Sequence, residues 1–191
     1  MRRGRRLFLL ALGGAVCYNE NMMNEKEYEI LYKKAYRLFD GVTPLKKDCG
    51  ALCGRACCRG DKTKGMLLFP HERTALRVIE ANGLRCAVCG GTCARAERPL
   101  ACRMFPFFPL TDRNGRVTVG IDRRAFGVCP LARQWQNVRF SKVFLRRVLA
   151  AGQLLARDPE CRAFIESISA EIEELAAFYE KLNLSEPEET K

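Results

Sequence analysis

The sequence predicts an α+β fold that is mostly α-helical. Irregular cysteine-rich loops and a small hairpin pack against helices, and a C-terminal helical hairpin completes the unit. Three observations carry this. Stretches at both ends of the chain place apolar residues at helical spacing. Eight cysteines crowd between Cys49 and Cys102, with a ninth at Cys129, in Gly-rich segments that suit loops. One Asn-Gly pair, Asn114-Gly115, separates two runs of alternating apolar residues, the signature of a tight hairpin.

Taken in order, residues 1–21 stand apart. Four arginines precede the apolar run Leu7–Val16, which has the shape of a secretory signal but is too short for a membrane anchor. The alternative is an over-extended gene start, with Met22 and Met23 as later starts. A chain starting at Met22 loses four Arg and Glu20, so its charge falls from +11 to +8. Asn24 then caps a helix to Asp40, with Glu27 at the capping-box position and Tyr28, Leu31, Ala35, Leu38 and Phe39 on one face. Val42–Gly65 reads as a cysteine loop and Met66–Phe69 as a short strand. Pro70 suits the first turn of a helix running to about Ala81, closed by Gly83. His71 then falls on the surface at that helix start. Arg85–Cys93 is a second cysteine loop and Arg98–Met104 a helical turn. Phe105–Leu110 and Arg116–Ile121 form the hairpin, and the phenylalanines of Phe105–Phe108 wall the site. A helical segment runs from Leu131 to Arg157 with a break at Ser141. Asp158-Pro159 opens the last helix, which ends near Asn183, and residues 185–191 form a disordered acidic tail. The organisation is one cysteine-cluster domain over 22–184, with its Cys-rich core at 42–130 and its helical hairpin at 131–184.

Charge is unevenly spread along the 191 residues. Leu131–Arg157 carries six cations and no anion, and Asp158–Lys191 carries three cations and ten anions. The two C-terminal helices are therefore expected to pair through opposite charges, which weakens a nucleic-acid reading of the net +11. No apolar run approaches the 18 or so residues of a membrane span. Arg55, Arg59, Arg95, Arg98 and Arg103 are interleaved with the thiols, where cations offset the charge that ligating cysteines acquire on deprotonation.

The chemistry lies in the cysteines. There are 11 Cys and a single His, so any metal site is almost entirely sulfur. The first group is Cys49-x3-Cys53-x3-Cys57-Cys58. The second is Cys86-x2-Cys89-x3-Cys93, followed by Cys102, and Cys129 closes the set. Long helical flanks poor in thiols favour metal thiolates over a disulfide scaffold, and with them a cytoplasmic protein. Short loops between thiols let two ligands grip one ion, and a second pair from elsewhere completes a tetrahedron. The same shell suits an iron–sulfur cluster. The spacings are not those of a bacterial ferredoxin, and Ala56 breaks a radical-SAM triplet. His71-Glu72 lacks the second His of a zincin. Cys17 and Cys161 are not expected to ligate.

The group ending in Cys57-Cys58, the Cys89–Cys93 pair, the element Arg98-Pro99-x2-Cys102-Arg103-x-Phe105-Pro106 and the late Cys129 resemble the YkgJ-type cysteine-cluster family. These proteins are described as zinc- or iron-chelating domains, and the local sequence around Cys49 and Gly65-Met66 is similar to small bacterial members of the clostridial type. The resemblance implies the metal ligands Cys49, Cys53, Cys57, Cys58, Cys89, Cys93, Cys102 and Cys129, with Cys86 as the alternate to Cys89. Arg98 and Arg103 are expected behind them, donating to sulfurs or to backbone carbonyls. The function expected is chelation of an iron–sulfur cluster, of the 4Fe–4S kind, or of zinc, without independent catalytic activity. One alternative is an iron–sulfur redox protein or a subunit of a protein-modifying enzyme. A second is a zinc-stabilised nucleic-acid module.

Overall fold

A computed structural model describes residues 23–46 and 49–182; the signal-like segment, Cys17 and the acidic tail lie outside them. Helix α1 (Glu25–Arg37) starts as expected. The Asn24 side chain accepts from the Glu27 amide at 3.1 Å, and the Glu27 carboxylate accepts from the Asn24 amide at 2.7 Å, which satisfies two of the free N–H groups of the first turn. Its buried face is Tyr28, Leu31, Tyr32 and Ala35. The first cysteine loop contains a one-turn helix α2 (Gly50–Cys53) and a 3-10 turn at Ala56–Cys58.

Next comes a three-stranded antiparallel sheet, ordered β1 (Met66–Leu67), β3 (Leu84–Val88), β2 (Arg77–Ala81). It corrects the sequence reading, which placed a helix after Pro70 and a loop from Arg85. Residues 70–76 are turn and irregular backbone, and Arg77–Ala81 pairs with Leu84–Val88 from Arg77↔Val88 to Ala81↔Leu84. The two-residue connection Asn82-Gly83 takes φ +53° and +73°. Both central residues are left-handed, as a type I′ hairpin turn requires, so Gly83 turns a hairpin where a helix end was expected. Val78-Ile79 adds β-branched bulk, and so short a segment could not repay helix nucleation.

Helix α3 (Leu100–Met104) leads into the expected hairpin of β4 (Phe107–Thr111) and β5 (Val117–Ile121), paired from Phe107↔Ile121 to Thr111↔Val117. Asp112 fixes the turn, its Oδ1 accepting from the amides of Asn114 and Arg116 at 2.9 Å each. The short helix α4 (Pro130–Arg133) and a 3-10 turn at Trp135–Asn137 come next. Ser141 is then the N-cap of α5 (Lys142–Leu155), and Asp158 caps α6 (Pro159–Lys181). The expected break at Ser141 is therefore a true helix start. Both C-terminal helices pack on β4, and α5 also covers β5 and touches α1. Among the described residues no ion pair joins α5 to α6. Glu160 pairs with His71, Glu171 with Arg124 and Glu166 with Arg162, so the expected charge pairing of the two helices is not realised as salt bridges. One apolar cluster runs from Tyr28 to Ile172. No helix among the described residues is long and apolar enough to cross a membrane.

Candidate metal centre

The two cysteine groups meet through the backbone. Arg59 and Gly90 form an isolated antiparallel bridge, and the Gly60 amide donates to the Cys89 carbonyl at 2.9 Å. Here the first loop crosses the end of β3 so closely that a Cβ on Gly60 would lie 2.9 Å from the Lys64 carbonyl and 3.2 Å from the Cys89 nitrogen. The bridge sets Cys58, at the end of the 3-10 turn, beside Cys89 and Cys93. Helix α3 brings Cys102 to the same place.

Six of the predicted ligands, Cys49, Cys57, Cys58, Cys89, Cys93 and Cys102, line one cavity of about 690 Å³. Arg55, Arg59, Arg95, Arg98 and Arg103 line it too, so the cations interleaved in sequence surround the thiols in space. Phe105, Phe107 and Phe108 supply the apolar wall expected of them. Cys53 and Cys129 stand next to each other outside this lining, with Cys129 buried at the N-cap of α4. The alternate ligand Cys86 also borders the cavity, but on β3 its ionisable neighbour is Arg124 and no thiol. Cys161 is buried in the first turn of α6 beside the Tyr32 hydroxyl, 3.6 Å away.

Thiol proximity shows in the electrostatics. The Cys57 and Cys58 sulfurs are 4.0 Å apart. Burial first, then Cys58, Cys53 and Cys49, push Cys57 up to about 12. Burial raises Cys102 well above its ordinary value, and Cys58 and Cys93 add to it. Burial likewise raises Cys89, which shares a hydrogen bond with Cys93. Cys57, Cys89 and Cys102 thus resist ionising alone among their neighbours; a bound cation would reverse that balance, because metal binding releases thiol protons.

Arg98 is the cation most involved. Burial would lower its pKa, but a hydrogen bond with Cys93 and the proximity of Cys58 and Cys102 raise it. Its Nε is buried without a hydrogen-bond partner, the only such side-chain atom among the described residues. A buried N–H left unpaired costs about 1–3 kcal/mol, so this guanidinium beside the thiols keeps one donor available. Arg103 does a different job. It is buried and donates to the carbonyls of Arg98 (3.0 Å), Ala96 (2.6 Å) and Tyr36 (3.3 Å), with its guanidinium 4.5 Å from the Tyr36 ring centre. It anchors the segment that carries Arg98.

Sequence reasoning missed Glu72. It lies on no helix and is fully buried. Its carboxylate accepts from the Leu100 amide at 2.7 Å, the Phe69 amide at 3.0 Å and the Tyr36 hydroxyl, so α1, the end of β1 and the start of α3 are tied at one point beneath Cys102. The only hint was a carboxylate three residues after the apolar run Met66–Phe69. His71, expected at a helix start, stacks on Tyr28 at 4.0 Å and bonds Glu160 at 2.7 Å, with φ +60°.

The donor set fits a thiolate-bound group: many sulfurs, surrounding cations and an unpaired N–H. Among the described residues no three His, Cys, Asp or Glu side chains are arranged to hold a metal ion as they stand, so ligation requires the thiols to turn toward a common centre. No protein-family model, no curated protein and no solved structure matches the chain.

Proposed function

We propose that this chain is a cysteine-cluster metal chelator of the YkgJ type, holding an iron–sulfur cluster through thiolates drawn from both cysteine groups. The observation that carries the reading is the meeting of the groups at the Arg59–Gly90 bridge, which gathers Cys58, Cys89, Cys93 and Cys102 around one cavity. These four hold the group. Arg98 donates to it from its unpaired Nε, Arg103 fixes the backbone of Arg98, and Phe105 and Phe107 limit water. When bound, an iron–sulfur cluster supplies one-electron chemistry or a redox-sensitive staple. The unpaired Arg98 donor and the roomy cavity favour a cluster, whose sulfides accept hydrogen bonds, over a lone zinc ion. Zinc in the same thiols is the second reading, supported by the all-sulfur tetrahedral donor set.

The chain is read as cytoplasmic and as having no reaction of its own, and nucleic acid is not its expected partner. Anaerobic purification with metal, sulfide and absorption analysis tests the assignment. A brown protein with iron and acid-labile sulfide is expected. A colourless protein carrying zinc selects the second reading, and a protein that takes up neither overturns chelation. Cys102→Ser should sharply lower the iron content, since no nearby imidazole can take the place of the lost thiolate.

A further inference from the structure

We infer that the eight thiols form two separate four-thiolate centres, divided between the adjacent residues Cys57 and Cys58. The cavity-side centre is Cys58, Cys89, Cys93 and Cys102. The second is Cys49, Cys53, Cys57 and Cys129, a compact site for a single zinc-class ion. The inference rests on the reading above that the cavity-side four are one complete ligand set.

Three observations carry the division. The first is local geometry. Cys49 is the N-cap and Cys53 the last residue of the one-turn helix α2, four apart and therefore on one face. Gly54 and Arg55 then take φ +56° and +58°, and the Arg55 amide donates back to Gly50 at 3.0 Å. This double left-handed turn folds the chain over α2 and returns Cys57 toward Cys49 and Cys53. A left-handed non-glycine residue costs about 1–2 kcal/mol, and such strain persists only where its surroundings demand it.

The second observation is Cys129. It is 6% exposed and outside the cavity. Its sulfur accepts backbone N–H groups of Leu131 and Ala132, and its one ionisable neighbour is Cys53. None of the cavity-side set is an ionisable neighbour of Cys129.

The third is connectivity. The thiols form a chain of neighbours: Cys129 beside Cys53, Cys53 and Cys49 beside Cys57, Cys57 beside Cys58 and, as the weakest of its thiol neighbours, Cys102, Cys58 beside Cys89 and Cys102, and Cys93 beside Cys89 and Cys102. A tetrahedral shell takes four sulfurs, and a division between Cys57 and Cys58 leaves two sets of four in which every thiol neighbours another of its own set. In the second set Cys49 and Cys57 border the cavity while Cys53 and Cys129 lie outside its lining, and four sulfurs are the closed shell of a single ion.

The test is a titration of Co2+ into the reduced, metal-stripped full-length chain without oxygen, read by thiolate-to-cobalt absorption. Alkylation of the loaded protein and mass mapping follow. Two equivalents are expected, with all eight thiols protected. Cys53→Ser combined with Cys129→Ser should drop binding to one equivalent and leave Cys58, Cys89, Cys93 and Cys102 protected. Cys93→Ser combined with Cys102→Ser should leave one equivalent protecting the other four. Saturation of the wild-type chain at one equivalent overturns the division, and that measurement needs no variant to fold. If that equivalent protects only the cavity-side four, chelation stands and the second centre fails. Protection of Cys49, Cys53, Cys57 and Cys129 alone would instead sink the cavity-side assignment and keep the second centre.

Discussion

Glu72 shows how much one side chain can organise. Burial is the main reason its pKa lies above the ordinary carboxylate value, and it outweighs the lowering by the Tyr36 hydroxyl, the backbone amides and Arg103. The folded chain therefore binds this proton more tightly than the unfolded chain. Stability attached to Glu72 is greatest at low pH and falls as pH rises from the ordinary value near 4.3 toward the raised folded value. Glu72→Gln should remove that slope. It should also cost about 1–3 kcal/mol, because its amide N–H2 must face a donor. Urea midpoints of both proteins from acid to neutral pH decide it, and an unchanged slope in the variant would sink the argument. Cys161 is the contrasting case. Burial is the largest cause pushing its thiol up to about 12, so it should resist alkylation at pH 8 in the native chain and react only on unfolding, as peptide mass mapping would show. The seclusion of Cys161 was readable in the sequence, because the residue falls in a helical first turn far from the other thiols. Glu72 was not, because neither periodicity nor spacing marks a carboxylate that three separated segments will enclose.

Elements were legible where local rules act alone. The capping box of α1, the Asn114-Gly115 turn, the Ser141 and Asp158 starts and the short α3 all follow from neighbours in sequence. The β2–β3 hairpin was not, because Pro70 and Gly83 frame a helix as plausibly as they flank a strand pair, and pairing with β1 arbitrates between them. The meeting of the cysteine groups depends on that hairpin and on the passage of Gly60 across its end. Gly60→Ala should therefore lower metal content while helical circular dichroism stays the same, since the added carbon collides with backbone at Lys64 and Cys89. Gly90→Ala, with nothing within 4 Å of its added carbon, should bind metal like the wild type. Equal loss in both would mean that the loop tolerates no change, and would remove the special role of the crossing.

For the whole molecule, the core and the site draw on largely different residues. Tyr28, Phe39, Met104, Phe144, Val148, Leu155, Ile165 and Ile168 make a continuous apolar cluster, to which only Cys129 of the eight proposed ligands belongs, with Cys49 packed against it. Stripping the metal should release hydrogen-exchange protection in residues 49–60 and 89–93 while α1, α5 and α6 keep theirs. A helical signal that collapses with the metal would refute this separation. The exposed cations Lys142, Arg146 and Arg147 have no ion-pair partner among the described residues, so the basic surface is real even though the second helix was expected to cancel it. Helix α1 carries a further consequence for synthesis. Its tyrosines reach forward along the chain, Tyr28 to Asp158 at 3.1 Å and Tyr32 to Cys161, across 130 and 129 residues. A ribosome adding about 5–20 residues per second leaves roughly 6–26 s between the emergence of α1 and that of its last partners. For that interval the apolar face of α1 lacks its α6 contacts, and the thiols of Cys49–Cys129 are made, exposed and able to meet the proposed metal before the C-terminal helix arrives to seal the fold.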